Sequence, residues 1–133
     1  MYLLDTNIVS DVQRRLPKPT DWLASIDAYS VNLSVITIGE IERGIVKRRQ
    51  QDAERAKPLE LWLHELRHEN ADRILPITEE IALAWGRLTA GRTRGSADTL
   101  IAATSLVHDL VLVTRNVADF EGIGLPLLNP WTL

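Results

Sequence analysis

The 133-residue chain contains no cysteine. Disulfides, thiolate metal centres and a cysteine nucleophile are therefore excluded, and a reducing compartment is compatible. No apolar run approaches the ~20 residues that a membrane span needs. No basic lead precedes the first apolar run, which already contains Asp5, so a secretion signal is not expected. A cytoplasmic location with no membrane contact is the resulting expectation. Repeats, low-complexity tracts and linkers are also missing, and the length points to one domain over residues 1–133. Nor is there an excess of positive charge: 15 Lys and Arg stand against 18 Asp and Glu, a net −3. That sign is wrong for a nucleic-acid binder, but the distribution matters more than the total. With Asp5, Glu40, Asp98 and Asp119 set aside, 14 acids face 15 bases. The bases cluster at Arg14, Arg15 and Lys18, at Arg43, Lys47, Arg48 and Arg49, and at Arg92 and Arg94. A basic rim around an acidic centre suits a polyanion held through metal. Solvated helix faces are the plain alternative for each cluster.

Apolar patterning predicts strands near 2–4, 31–35, 73–75, 110–114 and 126–128. Between them lie helices: 6–14, 20–28 after a break at Pro17 and Pro19, and 38–49 with Ile38, Ile41 and Ile45 on one face. A further helix carries the stripe Leu59, Trp62, Leu63 and Leu66. Another, marked by Ile81, Ala84, Trp85 and Leu88, is capped by Thr78 with Glu79 and Glu80 in its first turn. The last runs over 97–108. Strands alternating with helices imply a short parallel sheet covered on both faces, a three-layer α/β/α domain.

Four acids stand where such a fold builds its sites. Asp5 follows the first strand directly, at the carboxyl edge where α/β sheets bind ligands. Glu40 and Asp119 each come five residues after a strand, and Asp98 opens a helix. Each has an ordinary alternative. Asp5 can cap the helix beginning at Thr6. Glu40 completes the capping box Thr37-Ile38-Gly39-Glu40. Asp98 and Asp119 sit in first turns, where the helix dipole favours anions. Together they say more, because loops after parallel strands open at one rim. Four carboxylates gathered there repel, and without a cation some would take up protons. Mg²⁺, with Mn²⁺ as a substitute, resolves the conflict, since hard cations take oxygen ligands. Such a centre suits phosphodiester hydrolysis. Arg43 and Lys47 share the helix face of Glu40 and could reach a phosphate beside it.

His64-Glu65-Leu66-Arg67-His68 matches the zinc-protease pattern H-E-x-x-H. Both histidines fall opposite the buried stripe of their helix, and no third ligand is evident, so a catalytic zinc site is rejected. Asp5-Thr6-Asn7 also lacks the D-x-D of haloacid-dehalogenase-like phosphatases.

Four blocks, in order along the whole chain, resemble the PIN-domain ribonucleases of the VapC toxin family. They are Leu4-Asp5-Thr6-Asn7; Ser34-Val35-Ile36-Thr37 with Glu40 and Gly44; Ala97-Asp98-Thr99-Leu100-Ile101-Ala102-Ala103-Thr104; and Thr114-Arg115-Asn116-Val117-Ala118-Asp119-Phe120. Asn129-Pro130-Trp131 and Arg73-Ile74-Leu75-Pro76 resemble the FitB-like branch. The resemblance implies a toxin that acts as a Mg²⁺-dependent endoribonuclease, with Asp5, Glu40, Asp98 and Asp119 as catalytic and metal-binding acids. Asp5 and Asp98 would be the direct ligands, Thr6 and Thr114 supporting hydroxyls, and Asn116 would orient the last acid. It further implies a homodimer, silenced by a VapB/FitA-like antitoxin through which alone operator DNA is bound. A different class of function also fits the family: a PIN-fold binding module that acts with a DNA-binding antitoxin and cuts little RNA.

Overall fold

The computed structural model describes all of residues 1–133. Its strands are β1 (Tyr2–Leu4), β2 (Val31–Ser34), β3 (Ile74–Leu75), β4 (Val111–Val113) and β5 (Leu127–Leu128). They pair in parallel throughout, in the order β3-β2-β1-β4-β5. Six helices connect them: α1 (Thr6–Gln13), α2 (Pro17–Ala24), α3 (Val35–Gln51), α4 (Ala53–Glu69), α5 (Glu79–Thr89) and α6 (Ser96–His108).

Alternation along the strands divides the core into two. Leu4 of β1 and Val113 of β4 join Ile8 and Val9 of α1, Ile41 and Ile45 of α3 and Leu63 of α4. Leu3 and Leu112, one residue away, point to the other face and pack with Ile101 and Ala102 of α6 and with Phe120. Helices α1 to α4 thus cover one face and α5 and α6 the other. This is the three-layer arrangement expected from the strand–helix alternation.

Chain direction across the sheet reverses at β1. The first two crossovers step outward through β2 to β3, and the next returns to β4 on the opposite side of β1. The carboxyl ends of β1 and β4 therefore flank the switch point, where an open α/β sheet leaves a crevice. Asp5 follows β1 there, and its N–H donates to Val113 O (2.9 Å). Thr114 follows β4 on the other side.

Two elements depart from the sequence expectation. Helix α2 starts at Pro17, not at residue 20, and ends at Ala24. Proline fits the first turn of a helix because its missing N–H would find no partner there, so Pro17 and Pro19 open the helix and do not break it. Helix α3 starts at Val35, three residues early, because Ser34 ends β2 and caps α3 at once, accepting from Ile36 N (3.0 Å).

Candidate acidic site at the carboxyl edge of the sheet

Asp5 is 3% exposed and serves as the N-cap of α1. Its Oδ1 accepts from Thr6 N (2.8 Å). Its Oδ2 accepts from the Thr114 hydroxyl (2.8 Å) and the Asn7 side-chain amide (3.1 Å). The capping reading of Asp5 is thus correct, and it does not compete with a site: one oxygen caps while the other is held across the switch point.

Glu40 is not a capping-box acid. With Ser34 as the cap, it stands six positions into α3, in the second turn. There its Oε1 accepts from the Thr6 hydroxyl (2.6 Å). That hydroxyl also lies 3.1 Å from the hydroxyl of Thr37, which is fully buried. A short relay of hydroxyls therefore joins α1 to α3 beneath the carboxylates.

Asp98 lies in the first turn of α6, capped by the backbone of Gly95 alone. Asp119 lies in a 3-10 turn, Val117–Phe120. The two line one cleft of about 290 Å³ together with Thr93, Arg94 and Thr99. The Arg94 guanidinium donates to the carbonyls of Asp119 and Glu121 and so braces the turn that carries Asp119. Asn116 holds that turn through its backbone, its carbonyl accepting from Asp119 N (3.1 Å), while its side chain makes no capping bond. Arg43 and Lys47 are exposed on α3. Arg49, farther along, is instead paired with Glu60 (2.7 Å).

The acids act on one another. The Asp5 carboxyl is raised from 3.8 to about 6, chiefly by burial. Its bonds from Thr114 and Thr6 oppose the rise, and the charges of Asp98 and Glu40 add to it. Asp98 is solvent-facing as a residue. Its carboxyl is nevertheless raised, first by partial burial against the cleft and then by repulsion from Glu40 and Asp119. No three carboxylates close into a ready ligand set as they stand. They face one another near enough to repel. The donors are all hard oxygens, and none of the four carboxylates forms a salt bridge. That chemistry fits a divalent cation of the Mg²⁺ class and not a soft metal.

His64 and His68 are exposed on α4, as expected from their place opposite its buried stripe. Two functional side chains escaped sequence reasoning. Asn7 bridges Asp5 and Thr114 and also accepts from Arg115 N (3.2 Å) through its Oδ1. Thr37 supports the Thr6–Glu40 bond. The signal for Asn7 is its place in the Leu4–Asn7 block, and that for Thr37 its place at the end of the Ser34–Thr37 block, where a capping role hides its bond to Thr6.

The PIN-domain model matches residues 2–123. The VapC ribonuclease Y4jK of Sinorhizobium fredii is 33% identical over 144 residues, spanning 98% of this chain and 98% of the relative. FitAcB from Neisseria gonorrhoeae, a solved structure, superposes with a TM-score of 0.76 at 33% identity, covering 100% of both chains. A toxin–antitoxin complex from Klebsiella pneumoniae superposes with a TM-score of 0.74 at 27% identity, covering 98% of each. No helix is long and apolar enough to cross a membrane. On the family match and the end-to-end similarity of these relatives, the chain belongs to the PIN-domain family.

Proposed function

We propose that this chain, working as one domain over residues 1–133, is the toxin of a toxin–antitoxin pair and an endoribonuclease that hydrolyses RNA with Mg²⁺. The observation that carries the reading is Asp5: a buried carboxylate at the switch point, pushed up to about 6 and repelled by Asp98 and Glu40. One oxygen caps α1, while the other is buried beside like charges that a cation in the same hollow would relieve. The ribonuclease and toxin–antitoxin relatives supply the substrate class and the partner class.

In this scheme Asp5 and Asp98 hold the cation, and Glu40 and Asp119 complete its surroundings. Mg²⁺ there supplies Lewis-acid charge against the phosphodiester and lowers the pKa of the attacking water. Thr6 and Thr114 hold Glu40 and Asp5 in place through their hydroxyls. Asn116 fixes the turn of Asp119 from its backbone. Glu40 and Asp119 orient the water that attacks phosphorus. Arg43 and Lys47 lie about 4.5 and 10 Å along α3 from Glu40 at the helical rise, placed to meet neighbouring phosphates. The partner is a VapB/FitA-like antitoxin, which brings the contact with operator DNA, and the toxin itself pairs as a homodimer.

The test uses purified protein freed of any antitoxin. The wild type should degrade RNA with Mg²⁺ or Mn²⁺ and not in EDTA. Asp5→Asn should reduce cleavage at least a hundredfold while retaining the wild-type circular dichroism spectrum. If no metal supports cleavage by folded wild-type protein, the enzymatic reading fails and the binding-module reading replaces it.

A further inference from the structure

Asp11, on α1, is 0% exposed, yet the chemistry above does not use it. Its Oδ1 accepts from Arg14 (3.0 Å) and from Arg115 (3.1 Å), and its Oδ2 accepts from the indole N–H of Trp131 (2.9 Å). A buried carboxylate with three such donors is well satisfied, and removing any of them leaves part of its charge uncompensated. Its place on the helix gives it a second meaning. Asn7 and Asp11 are four residues apart, so they share one face of α1. Arg115 grips that face twice: its backbone N–H donates to Asn7 Oδ1 (3.2 Å) and its guanidinium donates to Asp11. Arg115 also follows Thr114, whose hydroxyl donates to Asp5 (2.8 Å). The segment around residue 130 closes the ring. Asn129 Nδ2 donates to Arg115 O (3.4 Å), and Asn129 Oδ1 accepts from Trp131 N (3.0 Å). Arg115 is thus held by its N–H, its carbonyl and its side chain.

We propose that Asp11, Arg115 and Trp131 form a positioning centre that sets Asn7 and Thr114 on the inner oxygen of Asp5, so that the segment at 129–131 controls how Asp5 presents itself to a divalent cation. The proposal rests on the reading of Asp5 as a cation ligand. None of the three touches the reacting atoms. They act through two bonds that end on one Asp5 oxygen. Outer partners of ligating carboxylates commonly change metal affinity by about tenfold or more when removed.

Trp131→Phe is the decisive variant, because it deletes the indole N–H that meets Asp11 and keeps an aromatic ring, smaller than indole, at the same place. Leu63→Ala, which empties a buried core position on α4 and removes none of the hydrogen bonds around Asp5, serves as a control for lost stability. Mn²⁺ binding is measured by calorimetry and RNA cleavage by steady-state kinetics, both at a temperature where all variants are folded. Trp131→Phe should weaken Mn²⁺ binding about tenfold and lower kcat while leaving KM for RNA within twofold. Amide exchange at Arg115 should quicken. Leu63→Ala should change neither Mn²⁺ affinity nor kcat by more than twofold. Asp11→Asn, if folded, should exceed Trp131→Phe in both effects. Unaltered Mn²⁺ affinity in Trp131→Phe overturns the proposal, as does an equal loss in Leu63→Ala. If the wild type binds Mn²⁺ but cuts no RNA, the proposed activity falls, while the affinity comparison still decides the positioning role. If the wild type binds no Mn²⁺, both fall.

Discussion

At the scale of the residue, Asp5 is a conflict held in place by its neighbours. Its capping bond and its bonds from Thr114 and Asn7 favour the carboxylate, yet burial outweighs them and the carboxyl titrates near 6. The consequence for stability has a definite sign. The folded state holds this proton more tightly than the unfolded chain, whose carboxyl titrates near 3.8. Below 3.8 the group is protonated in both states and has no effect. As pH rises from 3.8 to about 6, folding becomes progressively less favourable, and above that the full penalty remains. The gap corresponds to roughly 3 kcal/mol. Asp5→Asn removes the charge but, with an amide nitrogen in place of Oδ2, gives up the bonds from Thr114 and Asn7, worth about 1 kcal/mol each. In metal-free buffer at pH 7 the variant should therefore be more stable than the wild type by about 1 kcal/mol. Urea unfolding in EDTA from pH 4 to 7 should show the two proteins converging at the acid end. Parallel curves across that range would show that burial of Asp5 carries no such penalty. The same substitution that abolishes cleavage should thus strengthen the fold, which separates a lost function from a lost structure.

At the scale of the element, the strands were legible because each is a short apolar run, and the sheet's parallel character followed from the helices between them. The junction of β2 and α3 was not. Val31 to Val35 reads as continuous strand because apolar Val31, Leu33 and Val35 alternate with Asn32 and Ser34, and that alternation hides the turn of the chain into a helix at Ser34 without a loop. Missing that cap moved the expected helix start by three residues and gave Glu40 a capping role that it does not have. The proline pair is ambiguous for a related reason: the same ring that breaks a helix interior is at home in a first turn, and only the position of the preceding cap distinguishes the two. Ser34→Ala tests how much the junction matters. The residue is fully buried and its hydroxyl satisfies one free N–H of α3. Its loss should cost about 1 kcal/mol in urea unfolding. Cleavage should fall severalfold, because the start of α3 sets where Glu40 meets Thr6. A stability loss with unchanged cleavage would mean that the Thr6–Glu40 bond fixes the site without help from the cap.

At the scale of the whole molecule, the acids were legible as a group because sheet topology brings the ends of parallel strands to one rim wherever they fall in the chain. Thr6 and Thr114 were legible through the family blocks, but other supports were not: Thr37 meets Thr6 at 31 residues' separation, Asn7 meets Thr114 at 107, and Asp11 meets Arg115 and Trp131 at 104 and 120. No local pattern marks such pairs. The topology also makes the site a property of the entire fold. Asp5, Glu40, Asp98 and Asp119 come from four separate segments on both layers of helices, so they converge only when the whole sheet is assembled. A cation bound among them binds the folded chain and not the unfolded one, and mass action then adds to global stability. At a hundredfold excess over its dissociation constant, the gain is about 2.7 kcal/mol, which is on the order of 5–10 °C in Tm for a chain of this size. Mg²⁺ should therefore raise the Tm of the wild type in a saturable way, EDTA should reverse it, and Asp5→Asn should respond little. Equal shifts in both proteins would place the ion on the general acidic surface. A shift confined to the wild type would tie metal binding, the fold and the switch-point carboxylate to a single equilibrium.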